Sequence, residues 1–114
     1  MDESRFEQPL YVAKAELFRS LGHPVRIRIL ELLVAGEKSV SALLAEIGIE
    51  PSSLSQHLNV LKGTGLVVSS RKGNGVSYQV TDPSVGDFLV SARVVLASTL
   101  GRTKRTLEHL EGPQ

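Results

Sequence analysis

From Ser39 to Val80 the chain reads SVSALLAEIGIEPSSLSQHLNVLKGTGLVVSSRKGNGVSYQV, and no other stretch restricts its fold as tightly. Ser39 is a good N-cap for a short helix whose apolar face is Val40, Leu43, Leu44 and Ile47, and Gly48 closes it. Pro51 costs nothing at a first helical position, so a second helix opens there after a tight turn. Glu50 is a poorer cap than Ser or Asp and leaves the start loosely set. Gly63 and Gly65 bracket its end, which gives a helix over 51–64. Leu66 to Ser70 and Val76 to Val80 then alternate apolar and polar residues around Lys72-Gly73-Asn74-Gly75. Gly and Asn accept the positive φ of a tight hairpin, so a two-stranded ribbon with its tip over 70–76 is expected.

The flanks are helical. Residues 1–9 are polar, end in Pro9 and read as a flexible N-terminal arm. Leu10, Ala13, Leu17 and Leu21 have helical spacing, and Gly22 stops that helix. Pro24 suits the opening of the next, which runs from Val25 to Ala35 and buries Val25, Ile29, Leu30 and Leu33; Arg26 and Arg28 are expected to point away from that stripe. After the ribbon, Asp82-Pro83 starts a last helix carrying Val85, Phe88, Leu89, Ala92, Leu96, Leu100, Thr103, Leu107 and Leu110. To Leu110 it would reach about 40 Å, more than a small core needs. Val94-Val95-Leu96-Ala97 is apolar on nearly every side, and a helix of that kind must be covered on both faces. One protomer covers only one face. An antiparallel second copy is therefore expected, with dimerisation helices near 10–21 and 83–110 and contacts through Leu10, Leu17, Phe88, Ala92, Val95 and Leu96. Gly101 is the place where this helix is expected to break or fray.

The helix over 51–64 has two unlike faces. At about 100° per residue, Leu54, Leu58 and Leu61 share a narrow arc and face the core. Opposite fall Ser52, Gln56, Asn59 and Gly63, with Ser53, Ser55 and Val60 beside them. Long charged side chains normally solvate an idle helix face, and serines add little to helix stability. Gln and Asn can bond an adenine edge bidentately, and Ser can bond base edges or phosphate. A serine-rich but idle exposed face is the plainer alternative. His57 lies nearer the leucines, which favours holding the helix in place over touching DNA. Lys62 suits a phosphate contact or the C-terminal helix dipole equally. Arg71 and Lys72 on the hairpin are expected at phosphate or minor groove, with Asn74 beside them, unless they are solvated turn charges.

Composition narrows the class. With 114 residues the chain has room for one domain, 10–114, and a modest core. Charges interrupt every hydrophobic stretch, so no membrane span is expected, and the opening MDESRFEQP is unlike a signal peptide. A cytoplasmic protein follows, in keeping with a cysteine count of 0, which also removes disulfides, thiolate metal sites and thiol sensing. The 5 aromatics (Phe 3, Tyr 2, Trp 0) are too few for single-strand stacking platforms. Net charge is only +1, yet no acid lies between Glu50 and Asp82 while Lys62, Arg71 and Lys72 do. Local charge sets a phosphate footprint. His23, His57 and His109 sit on separate elements without an evident nucleophile, so an enzyme is not expected.

Phe18-Arg19-Ser20-Leu21-Gly22-His23-Pro24-Val25-Arg26-Ile27-Arg28-Ile29-Leu30, then Ser39 to Ile47, then Leu54-Ser55-Gln56-His57-Leu58-Asn59-Val60-Leu61 and Gly65-Leu66-Val67 resemble the ArsR/SmtB family in order and spacing. The resemblance covers about residues 10 to 90. It implies a mainly α fold with a two-stranded β wing, a winged helix-turn-helix that is dimeric through its terminal helices. It implies a sequence-specific DNA-binding regulator that reads a near-palindromic operator with helix 51–64 in the major groove and the wing, Arg71 to Gly75, on the backbone. The rival from another class is a winged-helix protein-interaction module without specific DNA binding.

Members of that family commonly sense metals, and here the chain departs from them. Val40-Ser41-Ala42 stand around the position of the usual cysteine pair. Of the other common site only Asp82 matches, since Ser84, Val95 and Ser98 replace its remaining ligands. Metal ligands are left unassigned. Glu108, His109 and Glu111, with the Asp2/Glu3 arm of a second copy, offer N and O donors for Ni²⁺ or Zn²⁺; a solvated charged tail is the alternative.

Overall fold

A computed structural model describes residues 8–111, with side chains as far as Arg102. The elements in order are α1 (Leu10–Ser20), α2 (Pro24–Val34), β1 (Lys38–Ser39), α3 (Val40–Ile47), α4 (Pro51–Gly63), β2 (Val67–Lys72), β3 (Gly75–Val80) and α5 (Ser84–Glu111). Of the flexible arm expected over residues 1–9, residues 1–7 lie outside the described residues, as do the side chains of Asp2, Glu3, Glu108, His109 and Glu111 considered as ligands.

Local chemistry explains the punctuation. His23 Nδ1 accepts from Val25 N at the head of α2, where Pro24 is the first residue. Ser39 Oγ accepts from Ala42 N to cap α3, and Gly48 ends it at φ +74, a conformation that favours glycine. Asp82 Oδ1 accepts from Ser84 N at 2.8 Å, which starts α5.

The core is formed by one face of each helix closing over the ribbon. Ile29, Leu30 and Leu33 from α2, Leu43 from α3, Leu54, Leu58 and Leu61 from α4 and Val67 from β2 are fully buried. Val25, expected in the core, is only half-buried, and Leu32 is buried instead. The start of α5 packs against α2 at Gly86, where a Cβ would stand 3.1 Å from Val34 Cγ1. Phe18 of α1 meets Phe88 of α5 with ring centroids 5.8 Å apart.

Three points add to or correct the expectations. First, the expected two-stranded ribbon of β2 and β3 is present, and a short third strand extends it. β1 pairs antiparallel with β3, Lys38 opposite Tyr78 and Ser39 opposite Ser77, in a three-stranded sheet ordered β1-β3-β2. Two residues are too short to leave a periodic signal. Second, α5 runs through Gly101 without a break, because one glycine costs only about 1 kcal/mol in a helix interior. Third, the stretch Ser84–Arg102 is long and apolar enough to cross a membrane, at mean hydropathy 1.3 with 6 % of it buried. Asp87 and Arg93 interrupt it but are too few to lower its hydropathy.

Candidate nucleic-acid interface

The buried leucines of α4 orient everything else on that helix. With Leu54, Leu58 and Leu61 inside, Ser52, Ser55, Gln56 and Asn59 are exposed, and Ser53 is half-buried at the edge. Among the described residues none of these five side chains makes a hydrogen bond or ion pair, so their donors and acceptors face solvent uncommitted. The face is polar and uncharged, as its sequence indicates.

The wing is fastened to the end of α4. Thr64 caps the helix, its Oγ1 donating to the Val60 and Leu61 carbonyls, each at 3.2 Å. Thr81, just past β3, donates from Oγ1 to the Gly65 carbonyl at 2.7 Å. Lys62 Nζ donates to Ser69 Oγ on β2 at 3.0 Å. Lys62 is thereby a strut between α4 and the wing, a role that neither of its two sequence readings included.

At the ribbon, β2 and β3 pair from Val67 opposite Val80 to Lys72 opposite Gly75, leaving Gly73-Asn74 as a two-residue turn. Only Gly73 takes a positive φ, +62; Asn74 does not. Arg71 and Lys72 therefore sit on the last rungs of β2, and Asn74 at the exposed tip. The two cations differ. Lys72 Nζ is paired with Glu37 Oε2 at 2.6 Å, whereas Arg71 is exposed and, among the described residues, has no side-chain partner. The acid-free interval in sequence is thus not acid-free in space, because Glu37 enters from the turn before β1.

Beneath α4 lies a cluster that sequence reasoning missed in part. His57 is half-buried and accepts from Arg26 Nε at 3.1 Å, and its ring lies against His23 with centroids 4.4 Å apart. That agrees with a holding role for His57. Arg26, expected to point away from the core stripe, is half-buried and turned inward. The signal was present: Ile29, Leu30 and Leu33 follow Arg26 by three, four and seven residues, so helical spacing puts it on their face. Arg28 is the exposed one, 3.5 Å from Glu31. Burial first, then His23 and Arg26, hold the His57 pKa below its ordinary 6.5.

The residues named for dimerisation divide in two. Leu17 and Phe88 are half-buried, while Leu10, Ala92, Val95 and Leu96 are exposed. Val90, Val94, Val95, Leu96 and Leu100 are each between 57 % and 64 % exposed, an apolar surface that runs round much of the helix and is too large to be idle.

A helix-turn-helix domain family model matches residues 21–70, which span α2 to most of β2. An uncharacterized HTH-type transcriptional regulator of Mycobacterium tuberculosis, Rv0081, is 47 % identical over 104 residues, covering 90 % of this chain and 91 % of that protein. Its crystal structure superposes with a TM-score of 0.79 over 84 % of this chain and 97 % of the other. The solution structure of the homodimeric winged helix-turn-helix DNA-binding domain Mb0332 of Mycobacterium bovis, described as a possible ArsR-family transcriptional regulator, is 30 % identical with a TM-score of 0.71, covering 77 % of this chain and 82 % of that one. The chain belongs to the ArsR family of winged helix-turn-helix transcriptional regulators. A further relative, the Streptomyces lividans protein named "Probable mercury resistance operon repressor", is 34 % identical over 83 residues, 73 % of this chain and 66 % of that protein. Each of these relatives is named as a transcriptional regulator or repressor, or as a DNA-binding domain of one.

The usual metal site of the family does not fit the residues present. Asp82 uses its carboxylate to cap α5, which lowers its pKa through the bond from Ser84 N, and Ser84, Val95 and Ser98 offer no imidazole. Among the described residues no three His, Asp or Glu side chains are grouped to hold a metal.

Proposed function

We propose that this ArsR-family chain acts in the cytoplasm as a homodimer that reads a near-palindromic operator. In each protomer α4 enters the major groove, Ser52, Ser55, Gln56 and Asn59 address base edges and nearby phosphates, and Ser53 lines the side. Arg71 and Asn74 lie on the backbone from the wing; Lys62 and Lys72 reach phosphate from their struts. One observation carries this: a helix with one face fully buried presents on the other a cluster of amides and hydroxyls without partners among the described residues, next to a wing with a free arginine. Two copies related by a two-fold axis would set their α4 helices about 34–36 Å apart, one turn of DNA.

The exposed apolar face of α5 supports the dimer, and the homodimeric relative argues the same way. A lipid environment suits this face less well, since Arg93, midway along Ser84–Arg102, would cost about 2.5–3.5 kcal/mol at a bilayer centre.

The test is selection from a randomised duplex pool followed by mobility shifts over a salt series. Enrichment of a two-fold site, with affinity falling steeply in salt, is the expected result. Gln56→Ala and Asn59→Ala should each lose about 1–3 kcal/mol on that site and relax the choice of base. Equal, weak binding to every duplex would instead favour a protein-interaction module.

Metal control is the second part of the reading, supported by the mercury-repressor name of a relative. Its candidate donors are Glu108, His109 and Glu111 on the tail, for Ni²⁺ or Zn²⁺. Calorimetry with each ion should show binding that His109→Ala removes. Unchanged binding would leave the tail as a solvated charged segment.

A further inference from the structure

Three side chains from different parts of the fold meet where α4 rests on α2. Arg26 Nε donates to His57 Nδ1 at 3.1 Å, and its Nη1 donates to the Ser20 carbonyl at 3.3 Å. The guanidinium thus links the end of α1 to the middle of the reader helix. His23 packs its ring on His57 and spends its own Nδ1 on Val25 N, 3.1 Å away. Both imidazoles therefore work as acceptors at Nδ1, which requires that nitrogen to be unprotonated and places any ring hydrogen on Nε2.

Protonating His57 would turn its acceptor into a donor facing another donor, and would set an imidazolium against a guanidinium. The titratable groups acting on His57 are His23, ahead of α2, and Arg26, on α2. From α1 only the Ser20 carbonyl takes part, and Lys62, further along α4, is bonded to Ser69. Among the described residues no carboxylate is ion-paired with His57 to absorb the added charge. His57 is next in sequence to Gln56 and two residues from Asn59, so a shift of α4 at His57 carries the reading face with it.

We propose that Arg26 and His57 form a proton-sensitive clamp that positions the recognition helix, so that acidification weakens DNA binding. This rests on the reading of α4 as the DNA-contacting helix. Arg26 and His57 are positioning residues; they hold the readers in place without contacting bases. Burial and the neighbouring His23 and Arg26 keep His57 neutral at ordinary pH, so the clamp is closed there and opens as pH falls. The direction is diagnostic. A histidine that simply gained charge near phosphate would tighten binding on acidification.

The probe is a fluorescent duplex enriched from a randomised pool by this protein at pH 7.5, titrated by anisotropy at constant ionic strength from pH 7.5 to 5.5. For the wild type the Kd should rise across that range, by less than about tenfold per protomer because the His57 pKa lies below 6.5, since binding must then expel a proton. Circular dichroism at each pH confirms that the protein remains folded. His57→Gln, whose amide oxygen accepts from Arg26 and does not titrate, should flatten the ratio of Kd at pH 5.5 to that at pH 7.5. Arg26→Met should weaken binding at pH 7.5 and flatten the same ratio. His23→Ser keeps a helix cap and should retain the acid-side loss.

A wild-type affinity that holds level or rises on acidification would overturn the clamp, with no variant needed. So would an acid-side loss that persists undiminished in His57→Gln. A pool that yields no enriched sequence would overturn the reading of α4 itself, and the role of the clamp with it.

Discussion

Glu37 Oε2, in the turn ahead of β1, lies 2.6 Å from Lys72 Nζ on the last rung of β2. One of the two wing cations is therefore neutralised by the protein before any DNA arrives, and a phosphate that recruits Lys72 must first displace a carboxylate. Exposed pairs of this kind contribute only about 0–1 kcal/mol to folding, so the larger effect falls on binding.

Replacing Glu37 by Gln should release Lys72 without unfolding the domain. Affinity for duplex DNA at low salt should rise, and the slope of log K against log salt should steepen by about one phosphate contact. An unchanged slope in a mobility-shift salt series would show that the pair with Glu37 does not limit what Lys72 contacts.

The apolar face of α5 gives a second prediction. Val95→Glu or Leu96→Glu places a charge where neighbouring residues leave a continuous apolar surface. Analytical ultracentrifugation at micromolar protein should find the wild type dimeric and either variant monomeric, with binding to a two-fold site lost in parallel. A monomeric wild type would remove the dimer from the account.

Leu54 is fully buried at the centre of the α4 contact with the core. Leu54→Ala should cost about 2–5 kcal/mol in urea unfolding, from lost burial and the cavity left behind. The loss should be seen equally with and without DNA, which separates it from changes on the outer face of the same helix.

Stability should also decline on the acid side. The pKa values of His57 and Asp82 are both lowered in the folded state, from ordinary values of 6.5 and 3.8. The folded protein thus binds fewer protons than the unfolded chain in the windows below those values. The contribution of His57 is complete above about 6.5 and fades as pH falls through its depressed value; that of Asp82 fades further into acid. Urea midpoints measured from pH 7.5 down to 5 should fall in the wild type and fall less in His57→Gln. A midpoint that rises on acidification would reverse the assigned shift.

Much of this architecture was legible because its signals are local. Ser39, Gly48, Pro51 and Asp82 each stop or start a helix through chemistry within a few residues, and Leu54, Leu58 and Leu61 declare the buried side of α4 by spacing alone. What escaped depends on distance in sequence. Lys38–Ser39 becomes a strand only because β3, far along the chain, supplies its partner. Lys72 looked free because Glu37 lies outside the acid-poor interval that surrounds it in sequence. Arg26 was misassigned for another reason: a charged residue on an apolar stripe is easily read as pointing outward, although its spacing to Ile29, Leu30 and Leu33 placed it inside.

Ser39 has two duties that share one backbone: its hydroxyl caps α3 while its main chain forms a rung opposite Ser77 on β3. The wing is consequently not a detachable module. An engineer exchanging β2 and β3 for another regulator's ribbon, to alter backbone contacts, would also disturb the first helix of the helix-turn-helix. A transplant that carries residues 38–39 along with the new ribbon should keep that joint intact, and one that omits them should loosen both ends of it.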